Sequence, residues 1–266
     1  PLSKSTIIQK ETLTPKISFR INPGNNMNDY SGSTSIMNVN NVFDINRLGL
    51  SDFESGKSLT FGLDYKIDPI EKSQPDNKKD KYLEFKLATV IRDQNETDIP
   101  TSSTINRKNS NLFGSINYNL LDNINLNYDF SLDNDMKTIN SNSINTEVSI
   151  NNFVTSFNFI EQRNEIGSTH ILSNTTEYKI NDNRSLKFST RRNKEINLTE
   201  YYDLSYEYKN DCLTAALRFN KTFYQDNDLV PTEDLFFSIT LIPLTTYERE
   251  IYKKTPGQSG LKGWFR

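Results

Sequence analysis

Apolar and polar residues alternate with period two along most of the chain. Leu59, Phe61, Leu63, Tyr65 and Ile67 share one face, while Thr60, Gly62, Asp64 and Lys66 share the other. Such alternation puts successive side chains on opposite sides of a β-strand. The same pattern predicts strands over Leu83–Ile91, Leu112–Leu120, Ile124–Leu132, Ile144–Ile150, Phe153–Phe159 and Leu172–Ile180. It weakens around Leu186 and Phe188, then returns in Leu198–Tyr208, Leu213–Phe219 and Leu235–Leu241. With Thr14–Asn22 the pattern predicts about a dozen strands.

Strand length points to a membrane. Soluble strands run to ~5–6 residues, whereas a tilted strand needs ~9–11 to cross the hydrocarbon, as most of these do. Tyr65, Tyr118, Tyr178 and Tyr208 stand near strand ends on the apolar faces, where aromatic girdles are expected. Half-buried strands of a soluble sandwich would alternate too, but the connections discriminate. From Leu120 they run short, then long, in turn: Asp122-Asn123, Asp133–Ser143, Asn151-Asn152, Glu161–Ser168, Asn181–Arg184, Arg191–Glu195, Asn210-Asp211 and Tyr224–Glu233. Short periplasmic turns and longer exterior loops give outer-membrane barrels this asymmetry.

The predicted fold is therefore all-β, a transmembrane antiparallel up-and-down β-barrel over residues 1–243, with 244–266 as a periplasmic C-terminal tail. Parity orients the rest. Asp93–Ser110 and Tyr224–Glu233 face the exterior; Asp68–Asp80 and the turn at Asn210, Asp211 and Cys212 face the periplasm. Asn22–Lys57 is one long exterior loop, or two loops around a strand near Ile36–Asp44.

Composition narrows the alternatives. Hydrophobic residues make up 34% of the 266 residues, and mean hydropathy is -0.68, so disorder has to be weighed first. Leu, Ile, Phe and Val together still number 70, above the range in which chains stay unfolded, and the net charge is only -3. Three Ala against 34 Asn disfavour helix, and 16 Phe with 13 Tyr favour strands. No run approaches the ~18 apolar residues of a membrane helix. Position 1 is not Met and no leader pattern precedes the strands, so we expect a fragment.

Candidate chemistry is sparse. His170 is the single His and has no Cys or His at ligand spacing, so no metal site is expected. Asp129 with Asp133, and Glu161 with Glu165, read as solvated carboxylates, and no Ser/His/Asp arrangement is readable. Gly114, Gly167 and Gly260 are isolated and form no phosphate-cradling loop, so no cofactor is expected. Lys78, Lys79 and Lys81 are offset by Asp76 and Asp80, which gives nucleic acid no basic patch. Cys212 is the single Cys, either a small hydrophobe or half of a bond whose partner lies outside this stretch. The polar positions Thr60, Asp64, Lys66, Thr214, Arg218 and Asn220 line a water-filled lumen, or contact a plug or an amphiphile.

Four blocks carry a family likeness in order: Leu13-Thr14-Pro15-Lys16 followed by Ile17, Phe19 and Ile21; Asn41-Val42-Phe43-Asp44-Ile45-Asn46-Arg47; Glu54-Ser55-Gly56-Lys57 leading into Leu59-Thr60-Phe61-Gly62-Leu63; and Asp211-Cys212-Leu213. In these the chain resembles the C-terminal barrel region of the LptD (OstA) family, the lipopolysaccharide-assembly outer-membrane proteins. The resemblance covers nearly the whole chain. It implies a non-enzymatic translocon in the cell outer membrane that inserts lipopolysaccharide into the outer leaflet. It also implies a plug lipoprotein in the lumen and a periplasmic transport bridge docked through an N-terminal jellyroll. Family barrels have roughly twice these strands, which would make this the C-terminal half.

Site expectations follow from the same resemblance. Cys212 would bond to the N-terminal domain, although members often carry two adjacent Cys where this chain has one. The closing strand, with Leu235, Phe237, Ile239 and Leu241 and ended by Pro243, would form one side of a lateral seam opening into the outer membrane lipids. Its hydrophobic end suits recognition by the barrel-insertion machinery, but Phe236 stands where such signals often have Gly. A passive porin-like or surface-exposed barrel is the alternative within the membrane class, and a β-rich adhesin or carbohydrate-binding module the alternative outside it.

Overall fold

The computed structural model describes residues 1–6, 8–23, 36–48, 54–70, 81–223, 231–242 and 245–254. Among these described residues, fourteen strands make one antiparallel up-and-down sheet in which each strand lies beside its neighbour in the chain. In order they are β1 (Leu2–Ser5), β2 (Gln9–Asn22), β3 (Gly56–Pro69), β4 (Tyr82–Arg92), β5 (Leu112–Leu121), β6 (Ile124–Leu132), β7 (Ile139–Ile150), β8 (Phe153–Gln162), β9 (Thr169–Asn181), β10 (Arg184–Asn193), β11 (Leu198–Lys209), β12 (Leu213–Thr222), β13 (Glu233–Leu241) and β14 (Thr245–Lys254). Two short 3-10 turns, Thr101–Ser103 and Asn164–Ile166, interrupt the long connections. Among the described residues no helix is long and apolar enough to cross a membrane.

The chain divides into two compact units, residues 1–146 with 160–169, and residues 147–159 with 170–266. In the first, register lines up like with like. Ile17, Phe61 and Thr89 form one row and Pro15, Leu63, Leu87, Gly114 and Phe130 another, all on the apolar face. On the polar face Arg20, Ser58 and Arg92 share a row, as do Ser18, Thr60 and Val90. The usual burial rule is inverted here: Ile17 is 70% exposed and Phe19 64%, while Ser58, Thr60 and Ser115 are buried.

In the second unit the apolar rows run Tyr178, Leu186, Tyr206, Leu217, Phe237 and Thr176, Phe188, Leu204, Phe219, Leu235. The polar rows run Ser189, Asp203, Asn220, Asp234 and Lys187, Ser205, Arg218, Phe236. Exposed Leu186, Leu204 and Leu217 again lie on the apolar side.

Two sequence expectations change, and one open choice is decided. Leu186 and Phe188 belong to the full ten-residue β10, whose apolar positions are thinned by Thr190 and Arg192. No strand forms in the described residues 36–48, which instead make successive turns. The pattern does not end at Leu241: β14 occupies Thr245–Lys254 of the stretch expected to be a tail. The register shifts between Leu235 and Phe236, leaving Ile251 as an extra residue, so alternation along β14 breaks there. Arg249, opposite Phe237, further disguises its apolar face.

Candidate functional site

Two connections of the first unit fold onto the polar face of β3–β5. Met37, Val39, Val42 and Leu48 from one, and Ile99 and Ile105 from the other, bury against Ala88, Val90 and Phe113. The last three occupy polar-face positions of their strands, and apolar residues there need a cover. Phe43 packs against this core. Its ring lies over Gly62 so closely that a Cβ at that position would meet it at 2.6 Å.

The covering segments are locked by charge. Gly56, with φ +81°, sits in the left-handed region and lets the chain reverse so that Glu54 lies over the start of β3. Arg47 Nε donates to Glu54 Oε2 at 2.6 Å, and its Nη2 donates to Oε1. The remaining Arg47 donors reach Val42 O (3.1 Å), Thr60 Oγ1 (3.0 Å) and Ser58 Oγ (3.1 Å). From β4, Arg92 Nη2 donates to Glu54 Oε1 at 2.7 Å, Nη1 donates to Ser55 O at 2.9 Å and Nε donates to Ile105 O. Arg20 on β2 donates to the carbonyls of Phe43, Asp44 and Ile45.

Both guanidiniums and the carboxylate are buried, so each depends on its partners. Burial pushes the Glu54 carboxyl up, but the hydrogen bond from Arg47 and the charges of Arg47, Arg92 and Arg20 outweigh it and hold the group below the usual carboxylate range. A second tie joins neighbouring loops: Arg107 approaches Glu165 at 3.0 Å and Asp133 at 3.6 Å.

This cluster does not emerge from the strand pattern. Its signals are Ala88, Val90 and Phe113 at polar-face positions, and Val42, Leu48, Ile99 and Ile105 in stretches that read as exterior loops. Thr60, expected to line a lumen or to contact a plug or an amphiphile, is fully buried beneath the covering segment. Asp64 pairs with Lys16 at 2.5 Å and Lys66 with Asp68 at 2.7 Å.

Cys212 is exposed in the tight turn between β11 and β12, where Asn210 Oδ1 accepts from the amides of Cys212 (3.0 Å) and Leu213 (2.8 Å). Leu235, Phe237, Ile239 and Leu241 do share the apolar face of β13, opposite Phe219, Leu217, Ala215 and Leu213. β13 is not a closing edge, however, because β14 pairs along its other side. Pro243 and most of Tyr224–Glu233 and Asp68–Asp80 lie outside the described residues. Thr214, Arg218 and Asn220 lie on the polar face of β12, and Arg218 Nε and Nη2 both contact Asp203 Oδ2 at 2.6 Å. His170 packs edge-on against Phe159, with ring centroids 5.4 Å apart. Among the described residues no three His, Cys, Asp or Glu side chains gather where they could hold a metal.

The family profile described as LptD, LPS transport system D, matches residues 2–184. The chain belongs to the LptD family. It is accordingly a lipopolysaccharide-transport protein of the outer-membrane β-barrel type. No curated protein matches it. Among solved structures it is similar to a triple mutant of the porin of Rhodopseudomonas blastica, with 11% identity over 78% of this chain and 93% of that one and a TM-score of 0.31.

Proposed function

We propose that this chain is part of the translocon barrel that inserts lipopolysaccharide into the outer leaflet through a hydrophilic lumen and a lateral seam. The observation that supports it best is the two-faced wall of a chain in this family: rows such as Leu186, Tyr206, Leu217 and Phe237 on one side, and Lys187, Ser205 and Arg218 on the other. An amphiphile needs both environments at once, sugars on the polar side and acyl chains on the apolar side. Its partners in this reading are lipopolysaccharide, a plug lipoprotein in the lumen, the periplasmic bridge, the barrel-insertion machinery and the surrounding outer-membrane lipids. The protein guides and carries out no covalent step. A seam would involve β14 as well as the Leu235–Leu241 face, since β14 flanks β13.

The test is depletion of the full-length protein in cells. Newly made lipopolysaccharide should stop becoming accessible to an impermeant reagent outside, while small-solute flux across the outer membrane is unchanged. Loss of small-solute flux with normal lipopolysaccharide display would instead identify a passive pore.

A further inference from the structure

On the polar face of the second unit, Phe236 is out of character with its row. Phe236 stands in the row Glu177, Lys187, Ser205, Arg218, Phe236, Glu250, with charged residues opposite it on both neighbouring strands. A half-buried aromatic ring at a water-facing strand position leaves apolar surface uncompensated unless something stacks on it. Around it the side chains shrink: Ser205, Ala216 and Ser238 occupy adjoining polar-face positions. The result is a hollow of about 710 Å³, with Phe236 and Tyr201 among the residues that line it. That volume lies within the ~300–1,000 Å³ of small-ligand sites.

Three polar groups of the hollow are held in place. Asp203 accepts from both Arg218 Nε and Nη2 and from Asn220 Nδ2 at 3.3 Å, so the guanidinium, still 60% exposed, is fixed across two strands. Charge in the lining is mixed, Lys187 and Arg218 against Asp203, Glu207 and Glu248. A phosphate-rich group would meet three carboxylates there, and a protein surface would find little apolar area to bury. A neutral ring with hydroxyls at its rim and C–H groups on its faces fits better. Hydroxyls donate to carboxylates and accept from guanidinium and amide, and the C–H face lies on an aromatic ring.

We propose that this hollow is a saccharide-binding site, with Phe236 as the stacking platform and Asp203, Arg218 and Asn220 as the hydroxyl partners. It rests on the translocon reading, which supplies the saccharide as the polar portion of lipopolysaccharide. The site gives the sugar chain a transient hold on the wall as it passes.

The test replaces Phe236 with a photoreactive phenylalanine in the full-length protein, in cells that make either complete lipopolysaccharide or a form truncated to its lipid anchor. Irradiation should give a glycolipid adduct with the complete form and none with the truncated form. In a second arm, Phe236→Ala should slow the surface arrival of the complete form about fivefold and leave the truncated form unaffected. An adduct of equal yield with the truncated lipid, an adduct to a protein only, or no adduct overturns the assignment, as does equal slowing of both forms. Depletion separates the two readings. If depletion leaves lipopolysaccharide display normal, the translocon reading fails; if depletion blocks display but Phe236 gives no saccharide-dependent adduct, the saccharide site fails.

Discussion

Arg92 Nη2 and Glu54 Oε1 meet at 2.7 Å although 38 positions separate them, so the end of β4 is tied to the segment that leads into β3. Arg47 completes the contact on the same carboxylate. Removing the negative charge would leave two guanidiniums buried without it. We predict that Glu54→Gln weakens docking of residues 36–48 by about 3–5 kcal/mol. Limited proteolysis of folded protein should then cut within 36–48 and 93–111, sites resistant in the parent. Unchanged resistance would show that the apolar core suffices without the charge.

Acid should act on the same carboxylate. Its pKa is lower when docked than when released, so the docked state gains stability above the ordinary carboxylate pKa and loses it as pH falls through the docked value. Protection factors at the Val42 and Leu48 amides, corrected for intrinsic exchange, should therefore be high at neutral pH and fall only once the pH drops below the ordinary glutamate pKa, and Glu54→Gln should flatten that dependence. A transition centred near neutrality would point to a different group.

Leu217 and Ala216 are adjacent in β12 but face opposite ways, Leu217 between Tyr206 and Phe237, Ala216 between Glu207 and Ser238. Leu217→Arg should cost roughly 2–4 kcal/mol of barrel stability in lipid, and Ala216→Arg clearly less. Reversible unfolding from vesicles measures both; equal losses would remove the distinction between the faces.

Orientation is open to labelling. With Cys212 replaced by Ser, Thr97→Cys in the β4–β5 connection should react with an impermeant maleimide on intact cells, and Asp182→Cys in the β9–β10 turn should react only after lysis. The reverse pattern would invert the chain in the membrane.

We propose, as the family resemblance implies, that Cys212, exposed in the β11–β12 turn, bonds to a partner outside this stretch. Cys212→Ser should abolish a reducible mobility shift on non-reducing gels and impair lipopolysaccharide delivery while leaving the barrel inserted. Mass spectrometry finding Cys212 as a free thiol in functional protein would end that assignment.

Most of the sheet is readable because side-chain direction in a strand follows local sequence. Ile124–Leu132 alternates without interruption and is β6 residue for residue. Legibility fails where tertiary contacts intervene. β14 is hidden by the extra residue Ile251 and by Arg249 on its apolar side. β1 is four residues long, too short for a periodic signal, and is held by pairing with Lys10–Leu13. The Arg47–Glu54–Arg92 cluster joins three separate segments, and nothing local in any of them announces the others.

The loop core also has a bearing on how the hairpins choose their alignment. A slip of one residue between β3 and β4 would turn Ala88 and Val90 outward and swing Arg92 away from Glu54. Hydrogen bonds along the ladder would hardly notice such an error, since backbone groups pair in either alignment. The covering segments would, because Val42, Leu48, Ile99 and Ile105 would lose their seat and Arg47 would keep a carboxylate without its second cation. Residues 36–48 and 93–111 thus act as a proofreading template for β3, β4 and β5, rewarding the correct pairing only after it has formed.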